Sequence, residues 1–165
     1  MIGYIAALHH AYPQKEISLD IYGEGPLRSV LERHVQHLPF ISLKGEATNI
    51  SEILDQYDAY ISTSKSEGYG IAPMEALARG LPLFLSDIPV YREVYADHAL
   101  FFSIEEKKTD TFLKLFDNYL EKPLYKKEKA MLDGRFYAYK SANSVNYISK
   151  LLSIYQIEST GYSKL

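Results

Sequence analysis

Between residues 17 and 102 the chain alternates short apolar runs with stretches of helical periodicity, and that alternation leaves few folds open. The apolar runs are 17–22, 40–44, 59–63, 83–86 and 99–102. Helical stretches occupy 2–11, 26–37, 51–57, 73–79 and 89–95. A strand followed by a helix and another strand closes into a right-handed βαβ unit, and repeated units build a parallel sheet covered on both faces. The predicted fold is therefore α/β, Rossmann-like, with helices on both faces of a parallel sheet. From Thr109 onward only helical spacing remains, at Phe112, Leu115, Phe116 and Tyr119, then at Val145, Ile148, Leu151, Leu152 and Tyr155. A helical region over 104–158 is expected to belong to the same domain, and no linker or internal repeat divides the 165 residues.

The punctuation agrees with this reading. Pro26 after Gly25 opens a helix, Asn49 or Ser51 can cap the next, and Gly80 and Pro82 stop the one begun near Pro73. The chain opens on a helical stretch, whereas a doubly wound sheet opens with a strand at its centre. A first strand is therefore expected to be missing ahead of Ile2.

The run Ser64-Lys65-Ser66-Glu67-Gly68-Tyr69-Gly70-Ile71-Ala72-Pro73-Met74-Glu75 follows a predicted strand and leads into a predicted helix. In open α/β sheets the ligand crevice lies at the carboxyl ends of the strands. Glycines at 68 and 70 let backbone amides approach a phosphate, and the helix N-terminus adds unpaired N–H groups and partial positive charge. Glu67 and Glu75 repel phosphate but accept hydrogen bonds, which suits sugar or ribose hydroxyls. An exposed loop binding an anionic ligand that carries hydroxyls is the expectation, ahead of an ordinary strand-to-helix turn.

Other chemistries find little support. Gly23-Glu24-Gly25-Pro26 lacks a third glycine, since Arg28 stands there, and Pro26 removes an amide, so a dinucleotide fingerprint fails. No P-loop is present. His9-His10 point to different faces, and His34 with His37 lack a third ligand, so no metal site is expected. A net charge of -3 with only small basic pairs, Lys107-Lys108 and Lys126-Lys127, argues against nucleic acid. There is no cysteine. With no visible signal peptide and no long apolar span, a cytoplasmic protein is expected. Fifteen tyrosines suit half-buried helix faces and partner contacts.

The segment Glu67 to Pro82 resembles the Glu-x7-Glu region of retaining GT-B glycosyltransferases of family 4, the glycosyl transferases group 1. The likeness extends to Asp20-Ile21-Tyr22-Gly23-Glu24-Gly25-Pro26-Leu27, to Ile41-Ser42-Leu43-Lys44-Gly45, and to Ile53-Leu54-Asp55-Gln56-Tyr57-Asp58-Ala59-Tyr60-Ile61-Ser62-Thr63-Ser64. Ser86-Asp87-Ile88-Pro89 and Arg92-Glu93-Val94 continue it. The resemblance implies the carboxy-terminal, donor-binding half of a GT-B fold. It implies a hexose transferred from a nucleotide-diphosphate sugar to a glycan, lipid or other acceptor, as in polysaccharide biosynthesis. It implies that catalytic Glu67 contacts the transferred sugar. Ser64, Gly68, Tyr69, Gly70 and Ile71 would line the donor site, with the amides of 68–71 on the diphosphate and sugar, and Glu75 would hold the ribose. No cofactor or metal is implied.

Two departures follow from the same resemblance. The family's donor-binding half begins with a strand and a loop carrying an arginine and a lysine that grip the diphosphate; here the match starts after them. The amino-terminal, acceptor-binding half is absent, and peripheral membrane contact would fall to that half. The implied partner is an amino-terminal domain or chain, and the chain alone is expected to be inactive or weakly active. Two alternatives stay open: a non-catalytic or degenerate subunit needing a partner chain, and a nucleotide-sugar 2-epimerase on the same scaffold.

Overall fold

The computed structural model describes residues 1–104 and 109–143. Lys107-Lys108 and the 144–158 part of the expected helical region, with its Val145-to-Tyr155 pattern, lie outside the described residues. The elements in order are α1 (Ile2–Ala11), β1 (Leu19–Tyr22), α2 (Arg28–Val35), β2 (Ile41–Gly45), α3 (Ile50–Leu54), β3 (Tyr60–Ser62), α4 (Ile71–Ala78), β4 (Leu83–Ser86), α5 (Pro89–Tyr95), a 3-10 turn (Ala96–His98), β5 (Ala99–Phe102), α6 (Thr109–Glu121) and α7 (Leu124–Asn143). Every strand pairing is parallel.

β4 organises the interior, because all four of its residues are buried. Alternation along the strand sends Leu83 and Leu85 to one face and Phe84 to the other. Leu83 and Leu85 pack with Met74 and Leu77 of α4, Tyr91 and Tyr95 of α5, and Ala138 of α7. Phe84 packs with Ile5 and Leu8 of α1, Phe102 and Phe112. Helices thus cover both faces, as the apolar pattern implies.

The helix boundaries follow local chemistry. α2 begins at Arg28 rather than Pro26, because 25–28 close a turn in which the Arg28 amide donates to the Gly25 carbonyl at 3.0 Å. Asn49 is the N-cap of α3, but neither its side chain nor that of Ser51 caps the helix. α4 ends in a Schellman motif. The Gly80 amide donates to Leu77 at 2.9 Å, the Leu81 amide donates to Ala76 at 3.0 Å, and Gly80 has φ +83°. An L-side chain in that conformation costs roughly 1–2 kcal/mol, so Gly80→Ala should lower stability by about that amount in urea unfolding. No loss of stability would remove the motif from the account.

The parallel sheet comes in two pieces. One holds β1 and β2, the other β3, β4 and β5, and among the described residues the edges of β1 and β3 away from β2 and β4 carry no strand. Between those edges lies a cavity of about 1070 Å³, lined by Leu19 and Ile21 of β1, Tyr60 and Ile61 of β3, and Ile5 and Phe112 of the covering helices. The volume is of the order of one strand. Five residues at ~3.3 Å rise, ~4.8 Å strand spacing and ~10 Å between layers fill about 800 Å³. Tyr57, just ahead of β3, bridges the gap by donating to the Asp20 carboxylate at 2.6 Å; Lys44 pairs with the same carboxylate at 3.3 Å.

Candidate functional site

The loop from β3 to α4 is fixed at both ends. Gly70 is the N-cap of α4 and sits at φ +78°, ψ 61°, the left-handed region that glycine enters without a side-chain penalty. It is buried rather than exposed, a correction to the expected surface loop. A Cβ at this position would stand 2.8 Å from Cε1 of Tyr91. The Tyr95 hydroxyl donates to the Gly70 carbonyl. Glycine is required here by both the backbone angle and the tyrosine behind it.

α4 starts at Ile71 and has no side-chain cap. Its first-turn amides at Ile71 and Ala72 have no intrahelical partner, Pro73 has no N–H, and Met74 closes the first bond to Gly70 at 3.4 Å. Ile71 is 56 % exposed, so the opening turn faces solvent. An uncapped helix start preceded by a left-handed glycine presents donors and partial positive charge to an anion.

The carboxylates flank this turn. Glu67 lies in the loop and Glu75 on α4, both exposed. Burial first, then the negative fields of Tyr91, Glu67 and Glu75, hold the Tyr60 phenol above its ordinary range. Glu75 also lines the strand-sized cavity. Tyr69 is half-buried against the core, and Gly68 has open space around its Cα.

Ser64 orders Glu67. Its Oγ donates to Glu67 Oε1 at 2.7 Å, and its carbonyl accepts from the buried Ser86 hydroxyl at 2.6 Å. Ser62, Ser86, Tyr60, Tyr91 and Tyr95 are the contributors that motif reading missed. The tyrosines could have been found: Tyr91 and Tyr95 stand four apart, on one face of α5.

The other sequence candidates resolve as structure. Gly23-Glu24-Gly25-Pro26 is a turn whose Glu24 pairs with Arg28. His9 stacks on Phe40 at 3.8 Å, and His34 bonds its own helix at the Val30 carbonyl, 2.9 Å away. Among the described residues no group of three or more acidic, His or Cys side chains could hold a metal ion. No described helix is long and apolar enough to cross a membrane.

Comparison with known proteins gives the family. A family model described as glycosyl transferases group 1 matches residues 3–134. The GtfA subunit of the UDP-N-acetylglucosamine–peptide N-acetylglucosaminyltransferase of Streptococcus pneumoniae is 40 % identical over 86 residues, 50 % of this chain and 17 % of that protein. The O-antigen chain mannosyltransferase RfbU of Salmonella typhimurium is 41 % identical over 51 residues, 31 % of this chain and 14 % of that protein. A crystal structure of a GtfA/B complex superimposes with TM-score 0.71 at 26 % identity, over 95 % of this chain and 34 % of the matched chain. The chain thus spans about a third or less of these relatives' lengths.

Proposed function

Because the chain belongs to the glycosyl transferases group 1, we propose that residues 62–75 bind a nucleotide-diphosphate sugar as the donor in a retaining, family 4 glycosyl transfer. The observation that carries this reading is the uncapped start of α4 behind a left-handed Gly70, with exposed carboxylates in the loop before it, at Glu67, and on the helix, at Glu75. The amides of 68–71 and the helix start would face the diphosphate. Glu75 would accept from ribose hydroxyls and Glu67 from hydroxyls of the sugar. When the sugar–phosphate bond breaks, charge grows on the leaving diphosphate. Fixed amides and a helix N-terminus stabilise that charge without reorganising. Positive dipoles suffice for this in the reading, so it uses no metal and no cofactor, and it assigns the chain to the cytoplasm.

The split sheet favours a second element of the proposal. The slot between β1 and β3 would take an upstream strand, followed by the basic loop that grips the diphosphate. An amino-terminal domain or chain would then supply the acceptor side. The same observation supports the reading of the chain as a subunit that completes its fold with partner polypeptide.

UDP is the first probe, being the nucleotide bound with GlcNAc in the pneumococcal GtfA structure. Titration calorimetry should show UDP binding, and Glu75→Gln, which keeps shape and removes charge, should weaken it by about 1–3 kcal/mol, roughly 5- to 150-fold. Unchanged affinity in that variant would remove Glu75 from the ribose role.

A further inference from the structure

We infer that Tyr91 is a positioning residue that, together with Ser64, fixes the Glu67 carboxylate so that Oε1 is held by the protein and Oε2 is turned to the ligand. The inference rests on the reading of residues 62–75 as the donor site. Ser64 Oγ donates to Glu67 Oε1 at 2.7 Å, and the Tyr91 hydroxyl donates to the same oxygen at 3.4 Å. Both protein donors meet one oxygen, which leaves the other for a hydroxyl of the sugar. A carboxylate accepts at both oxygens, so this division uses its full capacity.

The support behind the two donors is buried and itself bonded. Tyr91 is fully buried, and its hydroxyl accepts from Ser62 Oγ at the end of β3, 3.0 Å away, which leaves its own proton for Glu67. Ser62 Oγ in turn accepts from the Ser64 amide at 3.3 Å. Ser86, at the end of β4, ties down the Ser64 carbonyl. Residues from two strand ends and one helix thus converge on an exposed glutamate. Among the described residues no buried side-chain polar atom lacks a partner. A satisfied buried network rigidifies what it holds. A solvated turn glutamate has no need of such support.

The Tyr91 phenol is kept protonated, and therefore a donor, because burial raises it above its ordinary range and the charge of Glu67 acts in the same direction. Its ring packs against Gly70, so one side chain sets both the left-handed corner and the carboxylate. Tyr91→Phe keeps the ring and removes only the hydroxyl, and Ser64→Ala removes the other donor.

Two measurements on the 165-residue chain test the inference. The first is calorimetric titration of UDP and of UDP-N-acetylglucosamine into the unmodified chain and each variant. Both variants should lose about tenfold in affinity for the sugar nucleotide, the scale of one charge-assisted hydrogen bond, while in Tyr91→Phe, which lies outside the donor-binding run, UDP affinity changes by less than about twofold. Equal losses for both ligands would mean a merely structural role and overturn the inference, as would full retention of the sugar nucleotide's affinity. The second needs no ligand: NMR three-bond couplings across χ1 and χ2 of Glu67. A single rotamer in the unmodified chain that averages in either variant supports positioning; identical couplings in all three proteins overturn it. If the unmodified chain binds no UDP, the donor-site reading falls and the couplings alone decide for or against the positioning role. They also decide if it does not distinguish the two nucleotides.

Discussion

A five-residue Val/Ile strand joined through a short Gly/Ser loop ahead of Ile2 should raise the unfolding midpoint by about 4–20 °C. Among the described residues β1 and β3 each carry an unpaired edge, and the space between them is large enough for one strand and lined by apolar side chains together with Asp20, Asp58 and Glu75. Each apolar side chain buried there contributes roughly 1.5–3 kcal/mol, against roughly 1–2 kcal/mol per residue for ordering the backbone. A net gain of about 2–5 kcal/mol, with roughly 2–4 °C per kcal/mol for a domain of this size, gives the stated range. The strand would add its ladder to both edges, as an extended peptide does when it augments a sheet. Amide exchange at Leu19, Ile21, Tyr60 and Ile61 should slow at the same time. A Gly/Ser extension of equal length is the control. If the apolar strand raises the midpoint no more than that control, the slot does not take a strand.

The second large effect is expected at Gly70. Gly70→Val places a β-branched side chain at φ +78° and drives its Cβ to 2.8 Å from the Tyr91 ring. Strain in a sparsely populated backbone region costs roughly 1–3 kcal/mol, and overpacking a filled site roughly 1–3 kcal/mol more. The variant should lose about 2–6 kcal/mol in urea unfolding and lose UDP binding as well, because the start of α4 and the Tyr91 network share that corner. Sequence reasoning treats this position as an exposed ligand loop, where binding suffers more than folding. A variant as stable as its parent would restore that simpler view and remove Tyr91 as the loop's support.

Much of the fold is legible in the sequence because its signals are local. The strands over 83–86 and 99–102, and the helices over 2–11 and 89–95, coincide with β4, β5, α1 and α5. Their boundaries are set by neighbouring residues: Pro89 at the first turn of α5, Gly80 past the end of α4. The continuous apolar run of β4 announces burial on both faces. Less legible are features created by distant residues. The start of α4 at Ile71 depends on the left-handed Gly70, which tyrosines from α5 hold in place. Glu67, Gly70 and Glu75 stand out in the sequence because they share one short run. Tyr91 does not, since its contact with Glu67 spans 24 positions and passes through a buried hydroxyl. The split in the sheet has no local signal either; the helical opening at Ile2 gives the order of elements but not the unfilled space.

The most direct test of the donor-site account is the map of backbone amide shifts when UDP is titrated into the uniformly ¹⁵N-labelled chain. The account predicts the largest changes at Gly68, Tyr69, Gly70, Ile71, Ala72 and Glu75, with Gly23 and Gly25 little affected. Saturable changes centred on the 23–28 turn, or none at 68–75 at millimolar UDP, would contradict it.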